Sequence, residues 1–121
     1  MRVEFNPRQN KTSFEANITK EFEDSMRLYI NSRPNRLKNN YKLNEQIENI
    51  KNFGFNDYTI GLTKRFNGNV PQYTLRVAKN GTSIEKGFVI AKRHNYGWIL
   101  DFFLNMNKRQ FQSILSQQNL K

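Results

Sequence analysis

Apolar positions change their spacing several times along the chain, and each change marks an element. Val3 and Phe5, then Thr12, Phe14, Ala16 and Ile18, alternate on either side of Asn6-Pro7-Arg8-Gln9-Asn10, which predicts two short N-terminal strands about a loop. From Thr19 the spacing lengthens to Phe22, Met26, Tyr29 and Ile30. Glu21, Glu23 and Asp24 stand where a helix dipole is positive, so a helix is predicted over about 19–32. It ends ahead of Pro34, because proline pushes the residue before it out of the helical region. Leu43, Ile47, Ile50 and Phe53 mark a second helix over about 43–53, with Gly54 as its left-handed terminator.

Period two governs the next stretch. Tyr58, Ile60 and Leu62 share one face of a strand that runs into the loop Phe66-Asn67-Gly68-Asn69-Val70-Pro71. Tyr73, Leu75 and Val77 repeat the pattern, and Asn80-Gly81 supplies a turn. The third strand is Gly87–Arg93 and the fourth Trp98–Leu104, joined by His94-Asn95-Tyr96-Gly97; the fourth is apolar on both faces, which places it centrally or under cover. Asn107 caps a last helix over about 107–118, with Phe111, Ile114 and Leu115 on one side. The pattern predicts one α+β domain over residues 1–121. Its antiparallel sheet is a four-stranded meander over 57–104 plus the short N-terminal strands, with the three helices packed on its apolar face.

Composition narrows the chemistry. The chain has 121 residues, no cysteine and one histidine, which excludes disulfides, thiol nucleophiles and cysteine-based metal sites. The acidic clusters Glu21/Glu23/Asp24 and Glu45/Glu48 fall at helix starts, where the dipole explains them, so neither a metal nor a cofactor is expected. No apolar run approaches the roughly 18–20 residues that span a bilayer, and Met1–Asn6 lacks the apolar core of a signal peptide. The expectation is a cytoplasmic protein with no membrane partner.

Charge changes the picture most. Lys and Arg number 20 against 10 Asp and Glu, a formal net charge of +10. Residues 1–60 hold 10 basic and 8 acidic side chains, whereas residues 61–121 hold 10 basic and 2 acidic. Strict alternation puts Arg65, Arg76 and Arg93 on one sheet face, among Thr59, Thr63, Thr74 and the small Gly61, Ala78 and Ala91. That is a flat, donor-rich surface of the kind that suits a phosphate backbone. Lys64, Lys79 and Lys92 fall on the apolar register near strand ends, where their heads can reach solvent. Lys108 and Arg109 open the last helix, where unpaired N–H groups favour an anion. Arg36 and Lys38, with Arg33, Lys42 and Tyr41, form a basic connector. The plainer reading of each group is a solvated face; ordinary solvated faces mix both signs, however, and here only Glu85 and Asp101 oppose the second half.

The order of a helix over 43–53, several strands and a helix opening with Lys108-Arg109 resembles a double-stranded-RNA-binding domain over the last two-thirds of the chain. The resemblance implies a last helix that presents lysines to phosphates. The lysine-rich run followed by alanines that marks the family is missing, and the fourth strand is additional.

The reading that follows is a small, non-enzymatic nucleic-acid-binding or nucleoprotein-binding accessory protein with low sequence specificity. Its Asn- and Lys-rich composition suits a phage or mobile element of an AT-rich bacterium. Two alternatives stand beside it. One is an inhibitor of a host nucleic-acid-processing complex, in the manner of an anti-CRISPR protein, whose partner is then a ribonucleoprotein or an acidic protein surface. The other is a metal-independent ribonuclease toxin using His94, Arg93 and Tyr96. Phe102-Phe103-Leu104 exceeds what one half-buried strand needs, which leaves a homodimer open.

Overall fold

Thr19 starts the first helix as expected: its side chain accepts the Phe22 N–H, and Glu21 and Glu23 occupy the first turn of α1 (Lys20–Asn31). The computed structural model describes residues 17–119. The predicted N-terminal strands therefore lie outside the described residues except at Ile18, which makes a parallel bridge with Ile60.

The second helix is longer than its apolar spacing implies. α2 runs Arg36–Asn52, so Arg36, Lys38, Tyr41 and Lys42 stand on helical turns and not in a connector. Leu37 and Tyr41 are the apolar residues of those turns, and both are exposed, at 79% and 71%; without a buried stripe the pattern gave no helical signal. Polar contacts hold these turns instead. Asn40 donates to the Asn31 side chain at 2.7 Å, and Arg27 donates to that of Asn44 at 2.8 Å. Gly54 ends the unit with φ +91°, as its position predicts.

β1 (Tyr58–Asn67) and β2 (Val70–Lys79) pair antiparallel without interruption around Gly68-Asn69, and a 3-10 turn at Ile84–Lys86 leads into β3 (Phe88–Arg93). Among the described residues the sheet has three strands in the order β1-β2-β3, not the four of the predicted meander. The expected fourth strand is a helix, α3 (Tyr96–Leu104). A short run that is apolar throughout fits a buried strand and a buried helix equally, and local capping decides. Asn95 accepts the Trp98 N–H at 3.1 Å, which makes the predicted turn the start of a helix. Ile99, Leu100 and Phe103 then face the core, while Trp98 and Phe102 stack on the other side. The apolar surplus that left a homodimer open thus belongs to a two-sided helix.

Asn107 caps α4 (Lys108–Asn119) as predicted, through reciprocal 2.9 Å bonds with Gln110. The helices lie on the face of the sheet that carries Ile60, Leu75 and Val77, and these pack with Phe22, Met26, Ile99 and Phe103 into one core. α1 rests on β1, α3 rests on β2 and β3, and α2 packs on α1 and α3. Phe22 and Phe103 meet edge to face at 5.2 Å near the middle of this core.

Candidate functional site

One extra residue in β3 decides where the cations stand. Leu75 pairs with Ala91 and Arg76 with Val89, so Ile90 has no partner on β2 and forms a bulge. Beyond a bulge every side chain changes face relative to strict alternation. Lys92 therefore pairs with Thr74 on the polar face, and Arg93 pairs with Tyr73 on the face that carries the helices. The expectation that Arg65, Arg76 and Arg93 share one plane is thereby corrected, as is the placing of Lys92 on the apolar register. Lys64 and Lys79 do lie on that register, opposite Tyr73 and Tyr58.

Arg76 departs from the expected surface in a second way. It is half-buried, with Nε donating to Thr63 Oγ1 at 3.3 Å and Nη1 to the Gly87 carbonyl at 3.2 Å. The face around it is not flat and open either. Ile84 of the 3-10 turn sits over Gly61, where a Cβ would come within 2.8 Å of it, and Gly61, Thr74 and Ala78 are buried. Arg76 fastens this cover.

What the register does bring together is one end of the sheet. The consecutive pairs Lys64-Arg65 on β1 and Lys92-Arg93 on β3 flank Gln72-Tyr73-Thr74 on β2. Lys64, Tyr73 and Arg93 form a single cross-strand row on the helix-covered face, with Lys64 and Arg93 two strand spacings, about 10 Å, apart. Arg65 and Lys92 stand on the opposite face at the same end. All four are exposed, and none pairs with a carboxylate among the described residues, whose ion pairs are Lys20–Asp24, Arg27–Glu23 and Lys51–Glu48. Their neighbours are aromatic: Lys64 Nζ lies 5.0 Å from the Phe66 ring centre, and Arg93 lies 4.2 Å from that of Trp98.

The other predicted cations are elsewhere. Lys79 is at the opposite end of the sheet, six residues along β1 from Lys64 and so about 20 Å away. Lys108 and Arg109 are exposed on α4, which packs through Phe111 on Phe53 and Phe55, ahead of the Tyr58 end. The Gln110 N–H of that helix start is already bonded to Asn107. Arg36 and Lys38 are exposed on the first turns of α2.

Arg93, His94 and Tyr96 each engage a different neighbour. His94 is exposed, with Nδ1 3.2 Å from the Pro71 carbonyl, a bond that requires Nδ1–H. The Tyr96 hydroxyl turns inward to Ser25 Oγ. Burial pushes its pKa from the ordinary 10 up to about 12, against the lowering effect of that bond, so the phenol stays neutral.

Sequence reasoning missed a cavity of about 540 Å³ between α1 and the sheet, beside the cationic end. Tyr29, Tyr73 and Tyr96 wall it, and Lys64 lines it. The spacing puts Tyr73 on the apolar face of a strand, Tyr29 on a helix and Tyr96 in a turn, and nothing in it says that the three rings meet.

Comparison of the chain with protein-family models, with curated proteins and with solved structures finds no match in any of the three.

Proposed function

We propose that this chain is a small nucleic-acid-binding accessory protein that holds phosphates on the cationic end of its sheet, acting by binding and not by cleavage. The observation that carries this reading is the convergence of Lys64, Arg65, Lys92 and Arg93 around Gln72-Tyr73-Thr74, with no carboxylate paired to any of them among the described residues. Like charges a Debye length apart repel, and a protein gains nothing in stability by leaving them so. A polyanion relieves the repulsion. The guanidinium and ammonium groups at this end suit phosphate oxygens, which fix position without reading sequence.

The test is the salt dependence of binding to short oligonucleotides. Log affinity should fall linearly with log salt, and Lys64→Ala, Arg65→Ala, Lys92→Ala and Arg93→Ala should each flatten the slope by about 0.7–0.9. Lys51→Ala, on a lysine already paired with Glu48, should leave it unchanged. A flat response in the parent protein overturns the reading. So does capture of a host protein complex that survives nuclease treatment while bare oligonucleotides fail to bind, since that result describes an inhibitor. Cleavage of an RNA ladder that is lost in His94→Ala describes a ribonuclease instead.

A further inference from the structure

The cavity beside the cationic end has the size of a small-ligand pocket and the walls of an aromatic one. Tyr96 stands between two other rings, 5.0 Å from Tyr29 and 5.1 Å from Tyr73, the latter edge-on. This wall is braced from behind. Ser25 Oγ donates to the Phe22 carbonyl at 2.9 Å, so the Tyr96 hydroxyl donates to Ser25 in turn. Gly97 lets the Tyr29 hydroxyl close in, because a Cβ at that position would lie 2.7 Å from it. The Tyr29 and Tyr73 hydroxyls have no hydrogen-bond partner among the described residues.

Among the described residues the charged groups of the lining are Lys64 and Glu21. Lys64 Nζ lies over Tyr73, 5.8 Å from its centre, and Arg93 follows in the same cross-strand row. A ligand that satisfies all of this has a flat π-face for the tyrosines, an anionic group for Lys64, and N–H donors for the Glu21 carboxylate and the phenol oxygens. A nucleotide has each of these features, and its base is free to enter only where it is unpaired and unstacked.

We propose that the tyrosine cavity takes one base of a single strand while the flanking phosphates ride on Lys64 and Arg93, which makes the partner single-stranded nucleic acid. The inference rests on the phosphate-binding reading of the same end of the sheet and adds the state of the strand to it.

Fluorescence anisotropy with a deoxythymidine oligomer of about twelve nucleotides, against a duplex of the same length, separates the two claims. The protein should prefer the single strand at least tenfold. Tyr73→Leu keeps an apolar side chain but removes the ring, and should weaken single-strand binding by about 5- to 150-fold, the range for losing one stacked base. Duplex binding should stay as it was, and Tyr73→Phe should retain the preference. If Tyr73→Leu fails to fold, Tyr29→Leu interrogates the same wall. Equal binding of single strand and duplex, with the salt slope intact, overturns the cavity proposal and leaves phosphate binding standing. A preference unchanged in Tyr73→Leu or Tyr29→Leu overturns it equally. Displacement of the oligomer by a phenylalanine-containing peptide but not by thymidine monophosphate means that the cavity takes a protein side chain. Binding of neither oligonucleotide overturns both claims.

Discussion

At the Tyr58–Lys79 end of the sheet polar side chains fasten the backbone of separate segments, whereas at the Lys64–Arg93 end the four cations are exposed and, among the described residues, Arg93 alone of them bonds a backbone group, the carbonyl of its neighbour Lys92. Asn17, buried and in the left-handed region at φ 61°, donates to the Phe55 carbonyl at 3.1 Å and the Tyr58 carbonyl at 3.0 Å. Asn80 accepts from Thr59 and donates to the Asn56 carbonyl at 2.8 Å. Phe55 meets Phe111 edge to face beside them. The other end has four exposed cations and aromatic neighbours, and its cations make no ion pair among the described residues. The difference separates residues that build the fold from residues that the fold displays. Substitutions at the two ends should therefore affect different measurements.

The largest effect on stability is expected from Asn17→Ala. It removes both donors from two carbonyls inside the structure and puts a Cβ-bearing residue without a compensating side chain at positive φ. A loss of about 2–4 kcal/mol in urea unfolding follows from the Tyr58 carbonyl's lost donor, the smaller loss at Phe55, whose carbonyl keeps the Tyr58 N–H, and the backbone strain together. Asn17→Gly, which relieves the backbone alone, should recover only part of it. A loss below 1 kcal/mol, on the order of one ordinary hydrogen bond, would erase the contrast between the ends.

Next in size is Gln46→Leu, away from both ends. Gln46 is 5% exposed and its amide donates to the Phe103 carbonyl at 2.9 Å, which also accepts the Met106 N–H, and to the Met106 carbonyl at 2.7 Å, both where α3 ends. Leucine keeps the volume and leaves both acceptors without that partner, at a cost of about 1–3 kcal/mol. Gln46→Glu should be no remedy, because an ionised carboxylate has no donor to offer.

These two residues show where sequence reading stops. The capping signals at Asn107 and Gly54 were legible because each acts on the backbone within a few residues, the first through its side chain and the second through its positive φ. The hairpin of β1 and β2 was legible from alternation and from Gly68. Asn17 and Gln46 act on partners 38 to 60 residues away, and a polar residue bound for the interior looks like any loop or helix-surface residue in one dimension. The bulge at Ile90 is harder still, because Phe88, Ile90 and Ala91 all suit the core face and the alternation conceals the skipped partner. That one residue moved Arg93 to the other face of the sheet and put Lys92 in its place. The candidate site was therefore legible as a set of basic residues and not as a location.

Tyr96 gives the comparison a pH axis. A phenol held up to about 12 in the folded chain and near 10 when unfolded contributes stability that is complete below pH 10 and is lost as pH rises toward 12. Absorbance titration of the native protein should find one of its five tyrosines ionising last, and Tyr96→Phe should remove that step. The fall in stability between those pH values should shrink in the same variant. If the last step survives in Tyr96→Phe, the buried phenol is another tyrosine and the braced wall of the cavity is misassigned.

The smallest expected effect on folding belongs to the cationic end, and its smallness is the informative part. Arg65→Ala and Lys92→Ala remove exposed side chains that make no ion pair among the described residues, so each should change stability by no more than about 0.5 kcal/mol. Arg93→Ala gives up a cation–π contact with Trp98, worth about 0.5–1 kcal/mol where exposed, against the relief of repulsion from Lys64, so its net cost should also be slight. Combining Arg65→Ala with Lys92→Ala should, if anything, raise the unfolding midpoint at low salt, and the gain should vanish as salt screens the repulsion. A clear loss of stability at low salt in that double variant would mean that these cations are already balanced within the chain. The Lys64–Arg93 end would then be a second structural end of the sheet, and the reason to assign it an anionic partner would be gone.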